Sequence, residues 1–132
     1  MTNSDKHERI LIIESDLNVA RTIASLCFAL GHEPLVAQDG FTGMLLARRI
    51  RPRVIFADLT LPGLDGFEIV RRIRRLPELA HTAVVALTEN TPRRPAANQL
   101  GFDDFVMKPL NPMRLEHIIA RFCVCIAQHA HA

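Results

Sequence analysis

Five short apolar runs alternate with stretches of helical spacing along this chain, and that alternation constrains its fold more than any other feature. The runs are Ile10 to Ile13, Pro34 to Ala37, Val54 to Ala57, Ala83 to Leu87 and Phe105 to Met107. Each is too short for a helix and reads as a strand. Val19, Ile23, Leu26, Cys27 and Leu30 recur at helical spacing, and Gly31 is a natural stop. Asp39-Gly40 makes a turn, and Phe41, Met44 and Leu45 begin a second helix that ends before Pro52. Ile69, Val70, Ile73 and Leu76 stripe a third helix closed by Pro77, and Leu115, Ile118, Ile119, Phe122 and Ile126 stripe the last one. Before Gly101 the spacing predicts a weaker fourth helix, with Thr91 as cap and Pro92 first. Pro95 then falls inside its first turn, where a proline costs about 3 kcal/mol, so this helix is expected to be short or irregular. Strands alternating with helices give a parallel sheet covered on both faces. The 132 residues suit one domain, with a core over about residues 8–122 between a polar start and a frayed tail.

The strand ends carry the chemistry. Val54 to Ala57 runs into Asp58 and then the turn Leu61-Pro62-Gly63; the first strand ends on Glu14, Ser15 and Asp16; the last ends on Lys108 and Pro109. In open α/β sheets ligands bind in the crevice outside the carboxyl ends of the strands. Acids, a hydroxyl and a lysine there suit a hard cation and a phosphoryl group. Lysine occurs only at Lys6 and Lys108, so its place at a strand end carries weight.

Composition excludes several alternatives. A net charge of +2, with no Trp or Tyr, gives nucleic acid little to bind. The arginines at Arg48, Arg49, Arg51 and Arg53, and at Arg71, Arg72, Arg74 and Arg75, read as solvated faces. No run approaches the roughly 18 apolar residues of a membrane span, and the polar start lacks a signal-peptide core. Cys27, Cys123 and Cys125 form no framework and fit a reducing cytoplasm. His129 and His131 read as part of a polar tail.

The segments ILIIESD, VIFADLTLPGLDGFEIVRRIR, AVVALTEN and GFDDFVMKPL, in this order, resemble the receiver domain of two-component response regulators over nearly the whole chain. The resemblance implies a flavodoxin-like, doubly wound five-stranded parallel sheet of order 2-1-3-4-5 with five helices. It implies that Asp58 accepts a phosphoryl group from a sensor histidine kinase or a phosphotransfer protein. A carboxylate attacks an anionic phosphoryl group only where cations neutralise the charge. Mg²⁺ would do this, on Glu14, Asp58, the Thr60 backbone carbonyl and, weakly or not at all, Ser15. Lys108 matches the lysine that pairs with the phosphoryl oxygens, before a Lys-Pro bond that is usually cis in the family. Thr88 matches the switch hydroxyl, and Phe105 the aromatic residue that moves with it. The implied chain is no conventional enzyme: at most it slowly phosphorylates and dephosphorylates itself. No DNA-binding domain follows in the sequence, so output is expected through an unidentified protein partner, as in chemotaxis-type single-domain regulators.

Two residues depart from the family pattern. Ser15 stands where a second acid is usual, so Mg²⁺ is expected to bind weakly; Ser15 also suits the N-cap of the first helix. Glu89 follows Thr88 where a small residue is usual. It either points to solvent, screens Asp58 as an access gate, or restores the acid lost at Ser15. Both departures also suit a second reading, an atypical pseudo-receiver that serves as a phosphorylation-independent interaction module.

Overall fold

The computed structural model describes residues 8–89 and 100–131, with side chains described as far as Cys123. Strands β1 (Arg9–Ile13), β2 (Glu33–Ala37), β3 (Val54–Asp58), β4 (Ala83–Thr88) and β5 (Asp104–Met107) form one parallel sheet of order β2-β1-β3-β4-β5. Among the described residues the helices are α1 (Leu17–Ala29), α2 (Gly40–Ile50), α3 (Gly66–Ile73) and α4 (Pro112–His131). This is the flavodoxin-like topology the sequence implied. The expected fourth helix before Gly101, with Thr91, Pro92 and Pro95, lies outside the described residues. So do the side chains of Cys125, His129 and His131.

Strand alternation builds two cores. Leu11, Ile13, Ile55, Ala57, Val84 and Ala86 face α2 and α3. Ile10, Ile12, Val54, Phe56, Val85 and Leu87 face α1 and α4. Burial on both sides explains why the central strands are continuously apolar rather than alternating. Each fully buried Ile, Leu or Phe contributes about 1.5–3 kcal/mol, which favours this register over its neighbours.

Each of the first three helices starts on an aspartate at the carboxyl edge of the sheet. Asp39 Oδ1 accepts from Thr42 N at 2.8 Å, and Asp65 Oδ1 accepts from Glu68 N at 3.0 Å. At α1 the cap is Asp16, not Ser15: Asp16 Oδ1 accepts from Asn18 N at 2.9 Å and Val19 N at 3.5 Å. Asp16 is the residue directly before the first helical turn, and a carboxylate there serves the orphan amides better than a hydroxyl further back.

Two helical stripes differ from the expected ones. Helix α3 ends at Ile73, and Leu76 leads instead into a 3-10 turn, Pro77–Leu79, because proline suits a helix start rather than its interior. Helix α2 buries Gly40, Gly43, Met44 and Ala47 and leaves Phe41 and Leu45 exposed. A side chain at Gly43 would meet Ile13 at 2.5 Å, so α2 approaches β1 closely at that point and only glycine fits there.

Candidate functional site

The sheet order brings the ends of β1, β3, β4 and β5 to one crevice. Asp58 closes β3 and is 4% exposed; Glu14, one residue past β1, is 1% exposed. Asp58 Oδ1 accepts from the Thr60 backbone N–H at 2.9 Å and from the Thr60 hydroxyl at 3.1 Å. Lys108 Nζ donates to Asp58 Oδ2 at 3.1 Å. The same ammonium lies 2.6 Å from Glu14 Oε1. That approach is poorly angled, so Oε1 has a charge beside it but no aligned hydrogen-bond donor. Glu14 Oε2 accepts from Asp16 N at 3.0 Å.

The backbone fixes this arrangement. Lys108 N donates to Thr88 O at 2.8 Å, which ties the lysine's root to the end of β4, and Lys108-Pro109 is cis. Leu59 N donates to Leu87 O, holding the chain just beyond Asp58. At Gly66 an added Cβ would stand 2.7 Å from the Asp58 carbonyl oxygen, so only glycine lets α3 begin against the end of β3. Gly66→Ala is expected to cost about 1–3 kcal/mol by overpacking against rigid backbone. A urea unfolding curve checks it, and a midpoint equal to the wild type's would mean that α3 shifts freely.

Charge is divided unequally among the three groups. Burial pushes the Glu14 carboxyl above its ordinary range and neighbouring Asp58 adds to the rise, while Lys108 and the Asp16 N–H oppose it. Burial pushes Asp58 up too, but Glu14, the Thr60 N–H and Lys108 together hold it below the usual carboxylate range. Burial also opposes the Lys108 charge, yet the two carboxylates outweigh it and raise its pKa. At neutral pH the site therefore holds an ammonium and an ionised Asp58, and Glu14 is the carboxyl that takes up a proton first.

The other expected residues fall around this centre. Thr88 closes β4 and is buried, with 8% exposure. Phe105 is half-buried against the core on the α2 and α3 side. Ser15 and Glu89 are both exposed. Glu89 therefore adds no buried carboxylate beside Asp58.

As a cation site the arrangement is sparse. No cluster of three or more Asp, Glu, His or Cys side chains suited to a metal exists among the described residues. Glu14, Asp58 and the Thr60 carbonyl are all hard oxygen donors, and Glu14 Oε1 is buried without an aligned partner. Such a set fits Mg²⁺, which keeps several waters and needs few protein ligands. Lys108 stands between the same two carboxylates and competes for their charge.

The contacts of Arg74 were not foreseen from the sequence. Though exposed, it donates to Gly101 O, Thr82 O and Asp103 Oδ2 at 2.9, 2.9 and 2.7 Å. On the other side of β5, Arg114 and Arg121 both donate to Asp104 at 2.8 Å. No periodic signal marks either network, since each joins residues far apart in sequence.

A buried carboxylate between a lysine and a second acid, at the carboxyl edge of a 2-1-3-4-5 sheet, places this molecule among doubly wound α/β signalling modules. The chain belongs to the response regulator receiver domain family, whose model matches residues 10–120. It is 35% identical over 101 residues to the transcriptional regulatory protein AfsQ1 of Streptomyces coelicolor, covering 76% of this chain and 44% of that one. A probable transcriptional regulator of Galdieria sulphuraria is 30% identical, with 88% of this chain and 45% of the relative covered. The chain thus spans somewhat under half the length of these two relatives. Among solved structures, the receiver domain of the Pseudomonas aeruginosa sensor histidine kinase PA1611, with magnesium coordinated in its active-site cleft, superposes with a TM-score of 0.79 at 28% identity, covering 89% of this chain and 98% of that one. The Vibrio cholerae chemotaxis protein CheY4 shares the fold, with a TM-score of 0.81 at 24% identity over 88% of this chain and 98% of its own. No helix among the described residues is long and apolar enough to cross a membrane.

Proposed function

We propose that this chain accepts a phosphoryl group on Asp58 from the phosphohistidine of a sensor histidine kinase or phosphotransfer protein, and signals by binding another protein in the cytoplasm. The observation that carries this reading is the state of Asp58: buried, held ionised, and in contact with the Lys108 ammonium. An Asp58 oxygen attacks phosphorus, the O–P bond forms as the N–P bond breaks, and the imidazole leaves with the electron pair. Mg²⁺, when bound on Glu14, Asp58 and the Thr60 carbonyl, supplies positive charge that offsets the phosphoryl oxygens. Lys108 supplies a further positive charge, preset at 3.1 Å from Asp58 Oδ2.

The phosphoryl group adds about −1.5 to −2 charges at neutral pH. Lys108 then has a stronger partner than Glu14, and Thr88, whose carbonyl is bonded to Lys108 N, has an acceptor for its hydroxyl. Phe105 follows from its half-buried place beside them. The reading requires no other substrate, no nucleic acid and no membrane; the only chemistry is slow phosphorylation and dephosphorylation of the chain itself.

Incubation with acetyl phosphate and Mg²⁺, followed by intact mass, tests this directly. One added phosphate is expected, absent in Asp58→Asn. If the wild type gains none, the protein is instead a phosphorylation-independent interaction module.

Ser15 gives a second test. Its hydroxyl is exposed at the mouth of the site and adds no charge. Ser15→Asp is expected to tighten Mg²⁺ binding by about tenfold or more, because a hard anionic oxygen joins a set of two. Calorimetric titration of both proteins decides, and equal affinities would place position 15 outside the cation's reach.

A further inference from the structure

We infer that the sheet edge opposite Asp58 carries a second binding site, for a compact phosphorylated anion of the size and charge of a diphosphate. A cleft of about 350 Å³ opens where β1, β3 and β4 begin. Arg53 lies five residues before Asp58 along β3, roughly 16 Å away at strand rise, so this cleft is separate from the phosphoacceptor crevice. Its lining carries the guanidinium groups of Arg9, Arg51 and Arg53 and the His81 imidazole, with the carboxylates of Glu8 and Glu78 beside them.

The floor is rigid. Arg53 N donates to Arg9 O at 2.8 Å, Ala83 N to Arg53 O at 2.9 Å, and the Thr82 hydroxyl to Pro52 O at 2.8 Å. Arg53 Nε is held by Phe122 O at 3.0 Å. Arg9 pairs with Glu33 at 3.5 Å, and Arg53 with Glu8 at 3.6 Å. Arg51 and His81, by contrast, have no side-chain partner among the described residues. Glu78 stands at the rim and reaches neither within ion-pair distance.

The backbone positions Arg51. It caps α2 in the left-handed region, at φ 49° and ψ 66°, where a glycine is usual and other side chains are strained. This left-handed residue ends the helix, its N–H donating to Ala47 O at 2.9 Å, and fixes the backbone from which Arg51 lines the cleft.

The lining also limits the ligand. It holds no Phe, Tyr or Trp, and Pro52 is its one apolar residue, so the lining offers charge and hydrogen bonds rather than apolar area. A guanidinium fork on a rigid floor suits phosphate oxygens. The class is therefore a diphosphate group, free or at the end of a small metabolite.

Inorganic pyrophosphate is the probe, titrated into the full chain at low salt and followed by amide chemical shifts. Saturable shifts are expected at Arg51, Arg53, His81 and Thr82, with a dissociation constant below about 1 mM. The double variant Arg51→Gln, His81→Gln should weaken binding by about tenfold or more. Arg48→Gln, outside the cleft, should change it by less than about twofold. Glu78→Gln, which removes a rim acid, should tighten it. Asp58→Asn should bind as the wild type does, which keeps this result independent of phosphoacceptance. ADP should bind no more tightly than pyrophosphate. The inference is overturned by the absence of saturable shifts up to about 10 mM, by shifts centred on Asp58 and Lys108, by equal loss in Arg48→Gln and the double variant, or by ADP binding tenfold tighter.

Discussion

Lys108→Met is expected to cost about 3 kcal/mol of stability at neutral pH without Mg²⁺, and to recover much of that loss when Mg²⁺ is added. The lysine is the charge that makes two buried carboxylates tolerable. Its side chain is 14% exposed, against 1% for Glu14 and 6% for Asp58, so solvent screens little of the contact. Removing it leaves Glu14 and Asp58 facing each other with their positive partner gone. Breaking a buried pair from one side is costly for that reason, even where the intact pair contributes little. Methionine keeps the stem's volume, so packing loss is small. A divalent cation on the same oxygens replaces the missing charge, and binding to the folded state alone stabilises it by mass action.

The pH dependence of the wild type follows from the two carboxyls with opposite signs. Glu14 is raised in the fold, so the folded state binds its proton more readily than the unfolded chain. Its contribution is favourable below the ordinary glutamate value and is lost as pH rises through the raised one. Asp58 is lowered, so its contribution is present above the ordinary aspartate value and is lost as pH falls through the folded one. In Lys108→Met both groups rise, and the deficit should shrink on acidification as they take up protons. Urea unfolding at neutral and mildly acidic pH, with and without Mg²⁺, tests the whole scheme. A variant within about 0.5 kcal/mol of wild type under every condition would mean that the ammonium contributes nothing. The same variant should still be tested for phosphate uptake, where loss of the preset charge slows transfer without removing the acceptor.

Much of this site was legible because its signals are local. A strand that ends on Asp58 before Pro62 and Gly63 has one reading, and the sheet order follows from alternation and handedness. Lys108 was visible through the scarcity of lysine and the proline behind it. What stayed hidden depends on pairing at a distance. That Lys108 reaches Glu14 as well as Asp58 follows from strand packing, not from either sequence window. The α1 cap moved by one residue, from Ser15 to Asp16, because cap choice rests on a few degrees of backbone that composition does not encode. Phe41, Met44 and Leu45 marked the start of α2 in the sequence, but its inward face is built on Gly40, Gly43, Met44 and Ala47, and a pattern that counts large residues is blind to a helix brought close by small ones. Residues 90–99, whose two prolines led to the expectation of a short or irregular helix, lie outside the described structure.

Arg74 was the plainest misreading, and it carries the other large expected effect. Four arginines in five positions look like a solvated helix face, and Arg71 and Arg72 fit that reading, pairing only with Glu68 on their own helix. Arg74 is different because it caps the end of α3, beside the point where the chain returns toward β5. Its three nitrogens reach Gly101 O, Thr82 O and Asp103 Oδ2, and Gly101 lies against its stem, where a Cβ would stand 3.0 Å from Cγ. Asp103 in turn accepts from Val84 N at 2.8 Å and donates its own N–H to Val84 O. One guanidinium thus joins α3, the start of β4 and the approach to β5. Charged hydrogen bonds contribute about 1.5–3 kcal/mol each when buried, and less here because Arg74 is 29% exposed. Arg74→Met is therefore expected to cost about 3 kcal/mol, and Arg75→Met, whose side chain is exposed, less than about 0.5. Arg74→Lys should rescue little, since an ammonium cannot span three acceptors set for a planar fork. The loss should also be directional. Residues 101–104 lead into the strand that carries Lys108, so amide exchange in β5 should quicken more than in β1 or β2. Equal stability of Arg74→Met and Arg75→Met in urea unfolding would show the three contacts to be incidental. Uniform loss of protection across the sheet would show that Arg74 stabilises the fold as a whole and does not specifically support the lysine side of the site.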